Sequence, residues 1–363
     1  MNTSANSLLL ILQKHLLSDN TIHDFSEIIA MRQTDAWQDI NMKGATIMNL
    51  PPKATQPTFY FIGVTTTKSS IMKVFPLWAK VLGLKDAVIK GIDIEIHAKP
   101  EVYREVVEFI KNDELSLGAL VTTHKIDLYN AAKDLFDYLD PYATMFSELS
   151  CISKKDGRLE GYAKDPITAG MALEAFVPKN FFKEHGGDAL LLGAGGSAIS
   201  MAAYLLNKDK GDNIPNRLIV GNRSKPRLDS IEKIVRQIKP DANAEFYLTP
   251  EVGQNDELVK KLKPYSLIVN ATGLGKDRPG SPLTNDVVFP ENSLVWEINY
   301  RGDLLFMHQA LAQKEAKHLH VEDGWIYFLH GWTQVIAEVF HIEITKELFD
   351  ECKRVADEVQ KNG

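Results

Sequence analysis

Residues 189–198, ALLLGAGGSA, carry an apolar run straight into a glycine-rich turn and then into a helical pattern. Gly193 suits a tight turn, Gly195 lets backbone N–H groups approach a diphosphate, and Ala198 takes the third small position of a G-x-G-x-x-G/A pattern. A diphosphate seated on the N-terminus of the following helix would meet Gly193, Ala194, Gly195, Gly196 and Ser197. A tight turn without a ligand is the competing reading, and the strand-turn-helix context weighs against it. Such a turn needs a parallel α/β sheet around it.

The rest of the chain supplies one. The stretches TFYFIGV (58–64), AVIKGIDIEI (87–96) and LGALVTT (117–123) read as strands, separated by helical patterns at 71–84 and 101–113. A second series follows the glycine turn, with strands at NRLIVGN, AEFYL, SLIVNAT and SLVWEIN and a helix at RLDSIEKIVRQI. Two helical stretches close the chain, GWIYFLHGWTQVIAEVF and KELFDECKRVADEVQ. The expected fold is α/β: an N-terminal α/β substrate domain, a Rossmann-type doubly wound domain, and C-terminal helices packing back on the first. The expected boundaries are an N-terminal extension at 1–54, a substrate domain at 55–170 plus 325–363, and a nucleotide domain at 171–324. The extension holds a short amphipathic helical pattern and then NLPPKATQP, a proline-rich connector.

The strand after the glycine turn bears on the choice of dinucleotide. A site for NAD places a carboxylate near its end, whereas a 2′-phosphate calls for arginine. Here LIVGNRSKPR ends in Asn222, Arg223, Ser224 and Lys225, with no carboxylate before Asp229. Arg223 can lay its planar fork on a phosphate, with Ser224 and Lys225 adding donors, so NADP is the expected cofactor.

Composition narrows the partners. The 363 residues carry a formal charge of −7 and no basic block, which disfavours nucleic acid. Residues 8–12 form too short an apolar run for a membrane span or a secretion signal. Two isolated cysteines, Cys151 and Cys352, build neither a disulfide framework nor a zinc cluster, and a cytoplasmic location is expected. Cys151 is read as lying in a hinge-like segment between the domains. The ten histidines show no ligand spacing, so no metal is expected.

One residue sits where local physics disfavours it. ALVTTHK (119–125) reads as a buried strand ending at His124-Lys125, and IDLYNAAKDLFDYLD after it has near-helical spacing. A cation at a helix N-terminus faces the positive end of the dipole and costs several tenths of a kcal/mol. Forty residues on, Asp165-Pro166 reads by itself as a helix cap, Asp165 at N-cap and Pro166 at the first position. A carboxylate or a substrate could compensate Lys125.

The ordered set of motifs resembles the shikimate/quinate dehydrogenase family: TTHK (122–125), DGRLEGYAKD (156–165), GAGGSAIS (193–200), NRS (222–224), NATGLG (270–275), EINY (297–300) and DGWIYFLHG (323–331). The resemblance covers about residues 58–345. It implies that Lys125 and Asp165 are a catalytic pair in the cleft between the two domains. It further implies roles for Thr272 and Gly324 at the nucleotide, and for Thr67, Ser69, Thr122, Ser150 and Tyr300 at the substrate. The implied activity is reversible, NADP(H)-dependent hydride transfer to and from a ring hydroxyl of a cyclic hydroxy acid or cyclitol, in a possible homodimer.

Several positions depart from the family pattern. Ser150, Ala163 and Gly331 stand where amide side chains would bind ring hydroxyls, and Lys276 and Ile326 replace a methionine and a glycine near the nicotinamide. A pocket that has lost those amides implies a substrate other than shikimate, or weaker shikimate binding, and a quinate- or aminoshikimate-like ring is an alternative. Lys164 is expected either to bind an extra anionic group or to point to solvent, and Trp332 to serve helix packing. A dinucleotide-binding regulator that has lost catalysis is the rival from another class.

Overall fold

The computed structural model describes residues 50–361 apart from Lys85 and Asp277. The chain divides after Pro51, and the unit Pro52–Gly363 carries both sheets. The amphipathic pattern in the first 20 residues lies outside the described residues, and 50–57 carry neither helix nor strand.

The first sheet is built from β1 (Thr58–Gly63), β2 (Val88–Asp93), β3 (Ser116–Val121), β4 (Tyr138–Leu139), β5 (Cys151–Lys155) and β6 (Arg158–Tyr162), in the order β2-β1-β3-β5-β6-β4. Strands β2, β1 and β3 run parallel, connected through helices α1 (Ile71–Val81) and α2 (Pro100–Asn112). Strands β5 and β6 form an antiparallel hairpin whose turn, Asp156-Gly157, has positive φ at both residues, as a type I′ turn requires. Cys151 pairs within this sheet, opposite Leu120 and Tyr162, and is fully buried. It therefore lies inside a sheet rather than in a linker, and burial pushes its thiol up, away from nucleophilic chemistry.

The second sheet comprises β7 (Ala189–Leu192), β8 (Leu218–Asn222), β9 (Ala244–Leu248), β10 (Leu267–Asn270), β11 (Leu294–Glu297) and β12 (His320–Glu322). Its order, β12-β11-β10-β7-β8-β9, is parallel throughout. Numbered from β7, that is 3-2-1-4-5-6, the doubly wound order. Successive residues point to opposite faces, and both faces are covered. Leu191, Val220 and Val269 enter one core cluster, while Leu190, Ile219 and Ile268 enter another. The continuous apolar strands of the sequence follow from that burial.

The remaining helices are α3 (Lys125–Ala132), α4 (Pro141–Phe146), α5 (Asp165–Glu174), α6 (Phe181–His185), α7 (Gly196–Leu205), α8 (Lys225–Ile238), α9 (Val252–Lys260), α10 (Leu305–Leu311), α11 (Lys314–Lys317), α12 (Trp325–Phe340) and α13 (Lys346–Lys361). α3 and α9 are two of those that differ from expectation. α3 stops at Ala132 because the chain is drawn to the sheet edge: Asp137 N–H donates to the Leu159 carbonyl at 2.8 Å, and β4 pairs with β6. Edge pairing outweighs the apolar spacing. α9, opened by a capping box between Glu251 and Gln254, lies in a polar segment whose sequence signalled no helix.

The C-terminal helices do return to the first sheet. Trp332, Val335, Ile336 and Val339 of α12, and Cys352, Val355 and Ala356 of α13, join Phe59, Phe61, Phe75 and Trp78 in one core. Trp78 is fully buried, and its indole N–H donates to the Cys352 carbonyl at 2.7 Å, tying α1 to the last helix. Trp78→Ala empties the centre of this core and is expected to cost ~3–5 kcal/mol, read as a lower urea midpoint by circular dichroism.

Candidate active site

Strand β3 runs into α3 through Thr122, Thr123 and His124, and Thr123 takes a left-handed φ of 38° to make the corner. His124 is buried, with its ring nitrogen Nδ1 3.3 Å from the Tyr103 hydroxyl, and burial lowers its pKa. It anchors the corner as a packing and orienting residue. Lys125 is then the first residue of α3, and its side chain forms an ion pair with Asp165 Oδ2.

Asp165 arrives from the far end of the β5–β6 hairpin, just after β6. After β6, the Ala163 N–H donates to Asp140 Oδ1 at 3.0 Å and the Lys164 N–H to the Ser150 hydroxyl at 2.8 Å. These bonds fix the chain that starts α5. Lys164 is the residue flanking the helix and Asp165 is its first member, so Asp165 is not the N-cap expected from sequence. Its carboxylate leaves the helix end and binds Lys125 instead. Lys164 does not point to solvent. It pairs with Glu338 of α12 and lies 4.7 Å from the Tyr162 ring centroid, which ties the start of α5 to α12.

The electrostatics decide the form of the lysine. Burial works to lower the Lys125 pKa, but the Asp165 and Glu148 carboxyls beside it outweigh that and hold it above the ordinary lysine value. Lys125 is therefore a cation at neutral pH, an acid rather than a free base. Glu148 was not singled out in the sequence. The available signal was a lone acid between α4 and β5, a strand whose first three residues are buried.

A cleft of about 360 Å³ opens on this pair. Thr122, Ser150 and Tyr300 line it, together with Tyr327, Phe328 and Trp332 from α12. The Ser150 hydroxyl is occupied by backbone, accepting from Lys164 N–H and donating to the Tyr162 carbonyl at 3.4 Å. Trp332 does pack in the core, edge-on to Phe61 at 4.9 Å between centroids, and also presents a wall to the cleft. Thr67 and Ser69 stand apart from the lining. Their loop is pinned by Thr66, whose N–H and hydroxyl donate to Asp93 Oδ1 at 2.8 and 2.6 Å, and it leaves Thr67 exposed.

A second cleft, of about 500 Å³, lies at the C-terminal ends of β7, β8 and β10, where the strand order reverses. The two clefts share Ala271 and Thr272. Gly193 has φ +116°, and a Cβ there would stand 2.5 Å from the Ala271 carbonyl oxygen, so both backbone shape and close approach demand glycine. Gly193, Ala194, Gly195, Asn222, Arg223 and Ser224 line this cleft. Gly196 begins α7, and Ser197 faces the first cleft, with its hydroxyl bonded to Tyr327. Lys225 is turned away onto Asp229, one turn along α8. Arg227 and Arg278 take its place, and Arg227 Nη1 lies 3.6 Å from where a Cβ on Gly195 would be. Arg227 follows the NRS motif by three residues, so the first turn of α8 was the place to look. Among the described residues the lining of this cleft contains three guanidinium groups and no carboxylate.

The floor between the clefts is a buried polar knot. Thr272 Oγ1 donates to Asn270 Oδ1 at 2.7 Å, and Glu297 accepts from Asn270 Nδ2 and Asn299 Nδ2, each at 2.6 Å. Burial raises the Glu297 carboxyl to about 7 against those bonds. Gly324, at the start of α12, packs directly on this floor: a Cβ there would stand 1.9 Å from the Ile298 carbonyl oxygen. Among the described residues no group of His, Cys, Asp and Glu could hold a metal ion, and no helix is long and apolar enough to cross a membrane.

No family model matches the chain, but individual proteins do. A shikimate dehydrogenase (NADP(+)) of Nitrosopumilus maritimus (strain SCM1) is 27% identical over 196 residues, covering 54% of this chain and 64% of that protein. One from Lactococcus lactis subsp. cremoris (strain MG1363) is 27% identical over 178 residues, 49% of this chain and 59% of that protein. The chain thus spans about three fifths of the length of these relatives. Among solved structures, the shikimate 5-dehydrogenase of Thermus thermophilus in complex with NADP(H) and shikimate covers 82% of this chain, and 99% of that chain is covered, with TM-score 0.60 and 22% identity. The quinate dehydrogenase of Corynebacterium glutamicum in complex with NAD has TM-score 0.62 and 15% identity, with 82% of this chain and 97% of that one covered. These last two likenesses establish a shared fold.

Gly324→Ala forces the start of α12 off the knot that separates the clefts. It is expected to cost ~1–3 kcal/mol, seen as a lower thermal midpoint, whereas Gly157→Ala at the exposed hairpin leaves the Glu297 knot untouched.

Proposed function

We propose that this relative of the shikimate/quinate dehydrogenase family is an NADP(H)-dependent oxidoreductase, interconverting a ring hydroxyl and a ring ketone on a cyclic hydroxy acid. The observation that carries the reading is the adjacency of two unlike clefts, one with guanidinium groups at a glycine turn and one holding a partly buried lysine–aspartate pair. The first fits a phosphorylated dinucleotide. Backbone N–H groups at Gly195 and Gly196 suit its diphosphate, and Arg223, Ser224 and Arg227 suit its 2′-phosphate. A carboxylate for an unphosphorylated ribose is absent from that lining among the described residues. When bound, the dinucleotide supplies or accepts the hydride.

The chain's own residues manage the proton. Reduction of a ketone leaves charge on oxygen, and the Lys125 ammonium, held cationic by Asp165, is placed to stabilise that oxygen and protonate it. Oxidation returns the same proton to the pair. Asp165 orients the ammonium, and the Lys164–Glu338 pair holds Asp165 by fixing the start of α5. Thr122 and Tyr300 border the same space and suit a carboxylate or ring hydroxyl.

The substrate wall supports a ring with fewer hydroxyls than the family's polyols. Ser150 is engaged by backbone, Ala163 is fully buried, and Gly331 leaves open space where a side chain would reach in. Phe328, Trp332 and Val335 supply apolar surface in their place. A site with few partners for ring hydroxyls discriminates against substrates rich in them.

Absorbance of reduced nicotinamide, followed with shikimate, quinate, aminoshikimate and uncarboxylated cyclitols, tests this directly. Turnover with NADP⁺ and any ring acid supports the reading, and silence across the panel with intact nucleotide binding sinks it in favour of a binding module. Lys125→Ala is expected to lower turnover by ~10² or more while sparing dinucleotide affinity. Arg227→Ala is expected to weaken NADP⁺ binding ~10-fold or more with a much smaller effect on NAD⁺, measured by calorimetric titration.

A further inference from the structure

The site holds more carboxyl groups than the ion pair requires. Glu148 is 2% exposed, and its Oε1 has no hydrogen-bond partner among the described residues. Its Oε2 rests against the first turn of α7, 2.9 Å from where a Cβ on Gly196 would stand. The segment is held there by backbone, since the Leu149 N–H donates to the Lys125 carbonyl at 3.1 Å. Glu148 thus bridges the lysine–aspartate pair and the helix N-terminus beyond the glycine turn.

The groups facing it come from four elements. Lys125 of α3 attracts its charge, while Asp165 of α5 and Asp140 ahead of α4 oppose it. Tyr327 of α12 also lies within its field, and burial keeps that phenol neutral. Asp140 already accepts N–H bonds from Ala143 at 2.7 Å and Ala163 at 3.0 Å, so it has less to gain from a proton. Burial first, then Asp165, pushes the Glu148 carboxyl up to about 7, despite Lys125. A helix N-terminus with free N–H groups draws an anion, and here a carboxyl side chain already stands beside it. A dinucleotide brings further negative charge to the same turn. Two anions at one helix end repel, and taking up a proton removes the repulsion.

We propose that Glu148 is a proton-linked gate on dinucleotide docking: its carboxylate takes up one proton from solution as the diphosphate settles on the first turn of α7, and releases it when the dinucleotide leaves. The O–H bond formed on Glu148 uses a solvent proton, and no other bond changes. The proposal rests on the dinucleotide reading of the glycine turn. Its sign follows from linkage. A group whose pKa is raised by binding causes affinity to fall as pH rises through its unbound value. NADP⁺ should therefore bind more weakly from pH 7 to 9, by about tenfold for each pKa unit that docking adds to Glu148.

The experiment is calorimetric titration of the full chain with NADP⁺ between pH 7 and 9, in two buffers of contrasting ionisation enthalpy. Wild type should take up as much as ~1 proton per dinucleotide near pH 8. Glu148→Gln, which keeps the shape and removes the titration, should lose that uptake and flatten the pH dependence, and should bind more tightly than wild type at pH 9. The variant also subtracts any contribution from the phosphates of NADP⁺. Binding by wild type without proton uptake overturns the gate and leaves the dinucleotide reading standing, as does a glutamine variant that keeps the full pH slope. No binding by wild type at any pH overturns both. Should the glutamine variant fail to fold by circular dichroism, Glu148→Met takes its place and should lose the same uptake, which separates Glu148 from the Glu297 carboxyl on the floor of the cleft.

Discussion

The ion pair between Lys125 and Asp165 imposes its demands on everything around it. An ammonium on the first residue of a helix opposes the dipole, and a partly buried charge without a partner costs several kcal/mol. The carboxylate that relieves it stands on a different helix, 40 residues on, so β3, the β5–β6 hairpin and the start of α5 must meet with little slack. His124 buried beneath the corner, Ser150 bonded to the Lys164 N–H, and Lys164 paired with Glu338 are the means by which they meet. Each is a polar contact between residues well separated in sequence.

A parallel sheet buried on both faces provides the second constraint. Its switch point, between β7 and β10, leaves a crevice at the strand ends, and the glycine turn, the NRS loop and the NAT loop all converge there. The crevice would collapse or widen without a rigid floor. Glu297, Asn270 and Asn299 make that floor from side chains whose hydrogen-bonding atoms satisfy one another, with Gly324 packed on it. The same floor borders both clefts, so the geometry of one is tied to that of the other.

Local signals in the chain were readable where the physics is local. Apolar runs and periodicity identified the alternating elements, GAGGSA identified the turn, and LIVGNRS indicated a basic rather than an acidic strand end. Reading failed where a contact from far away took precedence. The spacing of Leu135 and Leu139 suggested a continuing helix, but backbone pairing with β6 ended it. Asp165-Pro166 has the composition of a cap, yet its carboxylate is spent on Lys125. Lys164 was assigned to solvent or an anion because Glu338, 174 residues away, could not be seen beside it. Lys225 and Arg227 are equally basic, and only the direction of α8 turns one onto Asp229 and the other into the crevice.

What the sequence determined by itself was the class of each element, the position of the glycine turn and the presence of a lysine at an unfavourable helix start, because these depend on neighbours within a few residues. The tertiary structure decided the chemistry. Whether Lys125 is a cation or a free base depends on burial weighed against Asp165 and Glu148, which come from α5 and from the segment ahead of β5. That balance between desolvation and Coulomb attraction varies steeply over a few ångströms, and those distances exist only once the chain has closed on itself.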